Sequence, residues 1–369
     1  MLASLKIQNF RPFWHLQIER LGQINLIAGK NNVGKSSLLE ALRLYAYGGA
    51  PFLLWEILAT RNEIKRAPHA SLESDDNVGV VLDRLFHGHT GNAKGAETIQ
   101  IGPVDSGKDT LIIARERRPE PGTDDFKFRE SPRVADAGKD SETNGLSIRV
   151  GPDPVYFLPL DGFWPLRNRR WARSEALPAK EFNCFYISAE GLKATEIGQL
   201  WDNITLTDLE QDILLALEIV TPEAERLSLV GDPMNNRERF VVVKTTGQTR
   251  PIPLSSMGDG INRIFGIMLA LTNAQNGILL IDEIENGIHY SVQPNLWAAI
   301  FNAAHHLNVQ VFATTHSWDC ITAFQKVAAE YKEKNGMLIR LEAKREMTNA
   351  VLFDESELSI VSRDQIEVR

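Results

Sequence analysis

The chain has 369 residues, 43% hydrophobic and 24% charged, a globular balance in a length that suits two packed units, since single cores rarely outgrow about 250–300 residues. A formal charge of −8 and a pI near 5.6 exclude a uniformly basic nucleic-acid binder, so any such contact has to come from a local patch. Two isolated cysteines, Cys184 and Cys320, exclude a disulfide framework and a CxxC metal site and suit small core residues in a reducing compartment.

The opening segment, MLASLKIQNFRPFWHLQ, lacks the apolar stretch of a signal peptide, and nowhere do about 18 apolar residues run together. The reading is a cytoplasmic protein without a membrane span. Leu2, Leu5 and Ile7 suggest a first strand and residues 15–20 a second. Ile24–Ala28 is a short apolar run that suits a buried strand ending at Gly29. Leu38, Leu39, Leu42, Tyr45 and Ala46 then recur at helical spacing over Ser37–Tyr47.

Residues 48–182 read as an inserted subdomain. Glu97–Ile101 and Thr110–Ala114 are short strand candidates, with Arg115, Arg117 and Arg118 as a solvated strand face. Between about 102 and 153 the chain is rich in Gly, Asp, Glu, Arg, Ser and Pro, a composition that predicts long flexible polar loops. Neither a coiled-coil arm nor an internal repeat is visible. From 183 the regular pattern returns. Strands are expected at Cys184–Ser188, Glu238–Lys244, Gly277–Ile281 and Val309–Ala313. Helices are expected at Thr207–Val220, Ile261–Ala274, Ser291–His306 and Trp318–Tyr331, the first with a capping box between Thr207 and Glu210. The tail from 337 has strand-like stretches. Buried strands alternating with helices predict an α/β fold with a mostly parallel sheet flanked by helices.

Four stretches carry chemistry. Gly29-Lys-Asn31-Asn32-Val33-Gly34-Lys35-Ser36-Ser37 matches the P-loop pattern between a strand and a helix. There, successive N–H groups and the helix N-terminus face phosphate, Lys35 reaches the β- and γ-phosphates, and the Ser36 hydroxyl binds Mg²⁺. Ile278–Glu283 is an apolar strand ending in two carboxylates, Asp282 for Mg²⁺ and Glu283 as general base toward water. Val311–Ser317 is a second buried strand whose polar end offers His316 as a sensor of the γ-phosphate. Ser255–Gly260, SSMGDG, opens a helix, and its small residues suit either an anion site or a simple cap. A fifth stretch sits in the insert: Trp164, Arg167, Arg169, Arg170, Trp171 and Arg173 crowd together. It is open between a nucleic-acid patch, a protein interface, and core tryptophans with solvated arginines between them.

In this order the four elements resemble the Walker A, signature, Walker B and His-switch of ABC-type ATPases. Ile7–Arg11 and Asp282–His289 resemble the RecF/SMC/OLD branch, and most of all the ATPase half of OLD-family proteins and stand-alone bacterial relatives. The resemblance covers 1–47 and 183–335, so the ATPase head is expected over 1–47 and 183–369. It implies that Arg11 touches phosphate, that Ser256 and Gly258 act in trans across an ATP-dependent head-to-tail dimer, and that Asn286–His289 lies at that interface. It implies slow, regulated ATP hydrolysis with Mg²⁺. Two departures stand out. SSMGDG keeps one Ser and the second Gly of the usual signature, and the 53 residues after His316 are too few for the Toprim nuclease domain of OLD nucleases. The expectation is therefore a switch that serves a separate effector, such as a nuclease encoded elsewhere, in bacterial defence against phage. The alternative is a RecF-like repair or maintenance ATPase acting on DNA.

Overall fold

The computed structural model describes residues 1–66, 78–80, 82–89, 98–119, 142–152, 155–159, 183–218, 221–231, 239–331, 336–344, 347–353 and 357. In chain order the strands and helices begin with β1 (Leu5–Phe10), β2 (Phe13–Ile18), β3 (Ile24–Ala28), α1 (Lys35–Ala46) and α2 (Pro51–Thr60). There follow β4 (Ile64–Arg66), β5 (Val78–Val80), β6 (Thr98–Gly102), β7 (Leu111–Pro119), β8 (Glu142–Val150) and β9 (Tyr156–Pro159). The second half holds β10 (Cys184–Ile187), α3 (Ala194–Ile204), α4 (Leu209–Glu218), β11 (Ala224–Gly231), β12 (Arg239–Thr245), β13 (Ile252–Pro253) and α5 (Asp259–Asn273). It ends with β14 (Ile278–Ile281), α6 (Gln293–His306), β15 (Gln310–Thr314), α7 (Trp318–Glu330), β16 (Gly336–Lys344) and β17 (Met347–Phe353). Among the described residues no helix is long and apolar enough to cross a membrane.

Two compact units emerge. The first comprises Met1–Leu5, Gln17–Leu39 and Glu181–Arg369. Its sheet runs β10-β14-β15-β3-β16-β17, parallel throughout except for β17, which pairs antiparallel with β16. Every residue of β3, β14 and β15 is buried, because continuous apolar strands have both faces covered. Around Trp297 the rings of Phe301 and Phe324 close the helical layer, with Trp297 and Phe324 edge to face at 4.9 Å. A smaller antiparallel sheet, β11-β12-β13, belongs to the same unit.

The second unit comprises Lys6–Leu16 and Glu40–Lys180. Its main sheet has the order β2-β1-β6-β7-β8-β9, antiparallel from β1 to β9. The division therefore places 6–16 and 40–47 with the segment read as an insert from 48. The flexible loops expected around 102–153 are corrected in part. Within that range β7 and β8 form a nine-residue antiparallel ladder from Leu111↔Val150 to Pro119↔Glu142. Leu111, Ile113, Leu146, Ile148 and Val150 are buried, alternating with more exposed residues whose polarity masks the strand in a composition window. The solvated Arg face is also corrected: Arg115 lies 5.4 Å over Phe86 and Arg118 4.7 Å over Phe157, leaving only Arg117 of the three exposed.

The capping box at Thr207 is displaced. The Glu210 carboxylate accepts from the N–H of Leu206 at 3.2 Å, and the Thr207 hydroxyl donates to the Ile204 carbonyl. Leu206 sits at φ +64°, so the chain reverses one residue earlier than the pattern implies.

Candidate nucleotide site

The P-loop grows out of β3. Gly29 has φ +147°, and a Cβ there would stand 2.7 Å from the Leu341 carbonyl oxygen, so only glycine lets the loop leave the sheet beside β16. Asn31 and Asn32 are exposed, Val33 is buried, and Asn32 and Gly34 also take positive φ. Lys35 and Ser36 open α1 and Ser37 is buried. The Lys35 ammonium folds across the loop and donates to the carbonyls of Gly29 at 2.7 Å and Lys30 at 3.1 Å. Burial pushes its pKa below the ordinary lysine value, and the charges of Glu283, Asp282 and Glu285 push back. An ammonium so placed suits an anionic ligand.

The C-terminal ends of β14 and β15 meet side by side. Thr314, fully buried, donates from Oγ1 to Asp282 Oδ1 at 2.5 Å and accepts the N–H of Glu283 at 2.8 Å. Glu283 stands at φ +48°, a left-handed conformation uncommon for a side-chain-bearing residue. Asn286 donates to Glu283 Oε2 at 2.8 Å, which fixes the carboxylate. His316 Nδ1 lies 3.8 Å from Glu283 Oε1. Lys35, Asp282, Glu283 and His316 thus form one electrostatic cluster on the first unit.

Two further residues join this cluster, neither given a role by the motifs. Arg263, buried on α5, donates to the carbonyls of Ser188 and Asp282, both at 2.6 Å, and of Glu283 at 3.1 Å. It clamps the backbone that carries both carboxylates to α5; its place at helical spacing after SSMGDG is the sequence signal for it. Glu285 is the other, a buried carboxylate beneath the start of α7. Burial, then the charge of Glu285, pushes the neighbouring Cys320 thiol up to about 12, so this cysteine is an inert core thiol.

Ser255 and Ser256 are exposed on a 3₁₀ turn over Leu254–Met257, and Gly258 at φ +113° leads into α5. A Cβ on Gly260 would stand 2.6 Å from the Gly287 carbonyl oxygen, so the loop 286–289 lies directly against the start of α5. Arg11 belongs to the second unit. It is buried there at φ +51°, with its guanidinium held by Glu40 at 2.6 Å and bidentately by Glu63 at 3.1 Å. Trp164, Arg167, Arg169, Arg170, Trp171 and Arg173 lie outside the described residues.

The residues present fit a nucleotide with Mg²⁺. Ser36 and Asp282 supply hard oxygen donors, the set magnesium takes alongside phosphate and water. Among the described residues no group of three or more His, Cys, Asp or Glu is disposed to hold a metal ion.

The fold is similar to that of SMC heads, and two stretches of the sequence match family models of AAA domains. The family model for an AAA domain, putative AbiEii toxin of a Type IV TA system, matches residues 196–319, and a second AAA-domain model matches 4–93. The chain is similar to an ATP/GTP phosphatase of Helicobacter pylori, 24% identical over 361 residues and 89% of each chain. It is 48% identical over 54 residues to the DNA double-strand break repair Rad50 ATPase of Archaeoglobus fulgidus, a match that spans 15% of this chain and 6% of that one. Among solved structures, the SMC head bound to the C-winged helix domain of ScpA is similar in fold, with a TM-score of 0.52 at 12% identity over 96% of this chain and 98% of that one.

Proposed function

We propose that this protein is a slow, regulated ATPase switch that dimerises head to tail around Mg·ATP. The observation that carries this reading is the Lys35–Asp282–Glu283–His316 cluster, in which a buried ammonium and an ordered pair of carboxylates converge beside a P-loop. The Helicobacter relative, named for ATP and GTP hydrolysis and similar over nearly the whole chain, supports it.

On this reading the amides of Gly29–Ser37 and the Lys35 ammonium bind the phosphates. Ser36 and Asp282 would hold Mg²⁺, which would supply positive charge against the phosphates. Glu283 accepts the proton of the attacking water as its oxygen bonds to the γ-phosphorus and the bond to the β-γ bridging oxygen breaks. His316 senses the γ-phosphate. Ser256 and Gly258 of a second copy complete the site. The protein works in the cytoplasm, akin to the ATPase half of OLD proteins. There it holds or senses a separate effector, such as a nuclease acting in trans, in defence against phage.

Glu283→Gln tests this reading. It is expected to bind Mg·ATP, to lose hydrolysis by about 10²-fold or more, and to accumulate as dimer in light scattering. Hydrolysis at the native rate would remove Glu283 as the base. A second reading, an ATPase acting directly on DNA, draws on the Rad50 match. It predicts hydrolysis stimulated by duplex DNA and lost with rising salt.

A further inference from the structure

The loop after β14 carries a third carboxylate that the nucleotide motifs leave without a task. Glu285 is 8% exposed, and its Oε1 faces three nitrogens. It accepts the main-chain N–H of His316 at 3.0 Å and of Ser317 at 3.1 Å, and it stands 3.3 Å from His316 Nδ1. Its Oε2 is buried and takes no hydrogen bond. A buried carboxylate with one bare oxygen is a costly way to cap the start of α7. A neutral amide or hydroxyl would satisfy the same two N–H groups. What the charge adds is its effect on the ring. Nδ1 has Glu285 Oε1 at 3.3 Å and Glu283 Oε1 at 3.8 Å. A lone pair on Nδ1 would be repelled by both oxygens, whereas a proton there is attracted by both.

We propose that Glu285 is the positioning residue of His316, holding the ring with its proton on Nδ1 so that Nε2 is the nitrogen left to act. This rests on the reading of His316 as the γ-phosphate sensor. A carboxylate that fixes the tautomer of a working imidazole through its other nitrogen is a general device. Here the same oxygen also holds the main chain at His316 and Ser317, so ring and backbone are set by one atom.

The test uses the full chain labelled with ¹⁵N-histidine and long-range ¹H–¹⁵N ring correlations. His316, one of eight histidines, is assigned by its loss in His316→Gln. The native ring is expected to show a pyrrole-type Nδ1 and a pyridine-type Nε2. Glu285→Gln keeps an acceptor for both backbone N–H groups and should move the ring toward the Nε2–H form that an unrestrained histidine side chain favours. An unchanged Nδ1 signal overturns the proposal.

In hydrolysis, Glu285→Gln should lower kcat at least ~10-fold with KM for ATP within ~2-fold. In the His316→Gln background the same change should cost less than ~2-fold, and a fully additive loss overturns the proposal. A ring shift in a chain that hydrolyses nothing would uphold the positioning role and remove the ATPase reading, so the two fail separately. If Glu285→Gln does not fold, the ring spectrum of Glu285→Asp decides: a shifted Nδ1 signal supports the proposal and an unshifted one sinks it.

Discussion

The Thr314 hydroxyl donates a hydrogen bond to Asp282 Oδ1 at 2.5 Å and accepts one from the Glu283 N–H at 2.8 Å, so one buried side chain on β15 orders two consecutive acidic residues after β14. The parallel register Ile281↔Ala313 brings the two strand ends level and makes this bridge possible. Thr314→Val keeps the shape and removes both bonds. With a buried donor and acceptor left unpaired, unfolding stability should fall by roughly 1–3 kcal/mol. Hydrolysis should fall with it, because neither acidic residue stays oriented. Chemical denaturation beside a steady-state assay checks this; a loss below about 0.5 kcal/mol would mean that the backbone alone sets the pair.

Lys35 gives a prediction with a sign. Its folded pKa is lowered chiefly by burial, so the folded state binds its proton less tightly than the unfolded chain. The group therefore opposes folding at neutral pH. That penalty fades as pH rises from the lowered folded pKa through the ordinary lysine value of 10.5. Lys35→Met removes this titration. Native protein should gain stability relative to Lys35→Met as pH climbs through that window, in paired denaturant melts, while the variant loses ATP binding at every pH. The opposite slope would mean that Asp282, Glu283 and Glu285 outweigh the desolvation.

The core of the first unit should respond to truncation as a packed interior does. Trp297 is among the largest fully buried side chains and meets Phe324 edge to face. Trp297→Ala is expected to cost roughly 3–5 kcal/mol, read from the denaturation midpoint at constant m-value. A cost under about 1 kcal/mol would show that α6 and α7 collapse into the space.

The first unit was legible because its strands are apolar on both faces. Ile24–Ala28 is β3 residue for residue, and the expected strands at 277–281 and 309–313 fall within one residue of β14 and β15. The second unit was legible only in part: Glu97–Ile101 and Thr110–Ala114 catch β6 and the start of β7, but β8 hid because an antiparallel strand with one covered face dilutes its apolar residues, as Leu146, Ile148 and Val150 alternate with Ser147 and Arg149. The helix α2 hid too, since Pro51-Phe-Leu-Leu-Trp-Glu-Ile-Leu is apolar without a clear period. In the site, the motif residues name the chemistry, but the residues that aim them do not. Arg263 works through three carbonyl oxygens and Glu285 through two main-chain N–H groups, contacts that exist only once β10, β14, α5 and α7 are assembled. Arg11 shows the converse: a residue with a family task is found holding Glu40 and Glu63.

The signature residue gives the sharpest test of the dimer. Ser256 is exposed on the turn before Gly258. Ser256→Arg should therefore leave stability within about 0.5 kcal/mol of native. It should also leave Mg·ATP affinity intact, since the P-loop, Asp282 and Glu283 of the same chain are untouched. What it should remove is the face that meets a second nucleotide, because a long cation there blocks close approach of a second copy. In the Glu283→Gln background, where ATP-bound dimer would accumulate, adding Ser256→Arg is expected to return the particle to monomer mass in multi-angle light scattering. Dimer that persists would show that this serine does not lie between the two copies, and the trans assignment of Ser256 and Gly258 would fall with it.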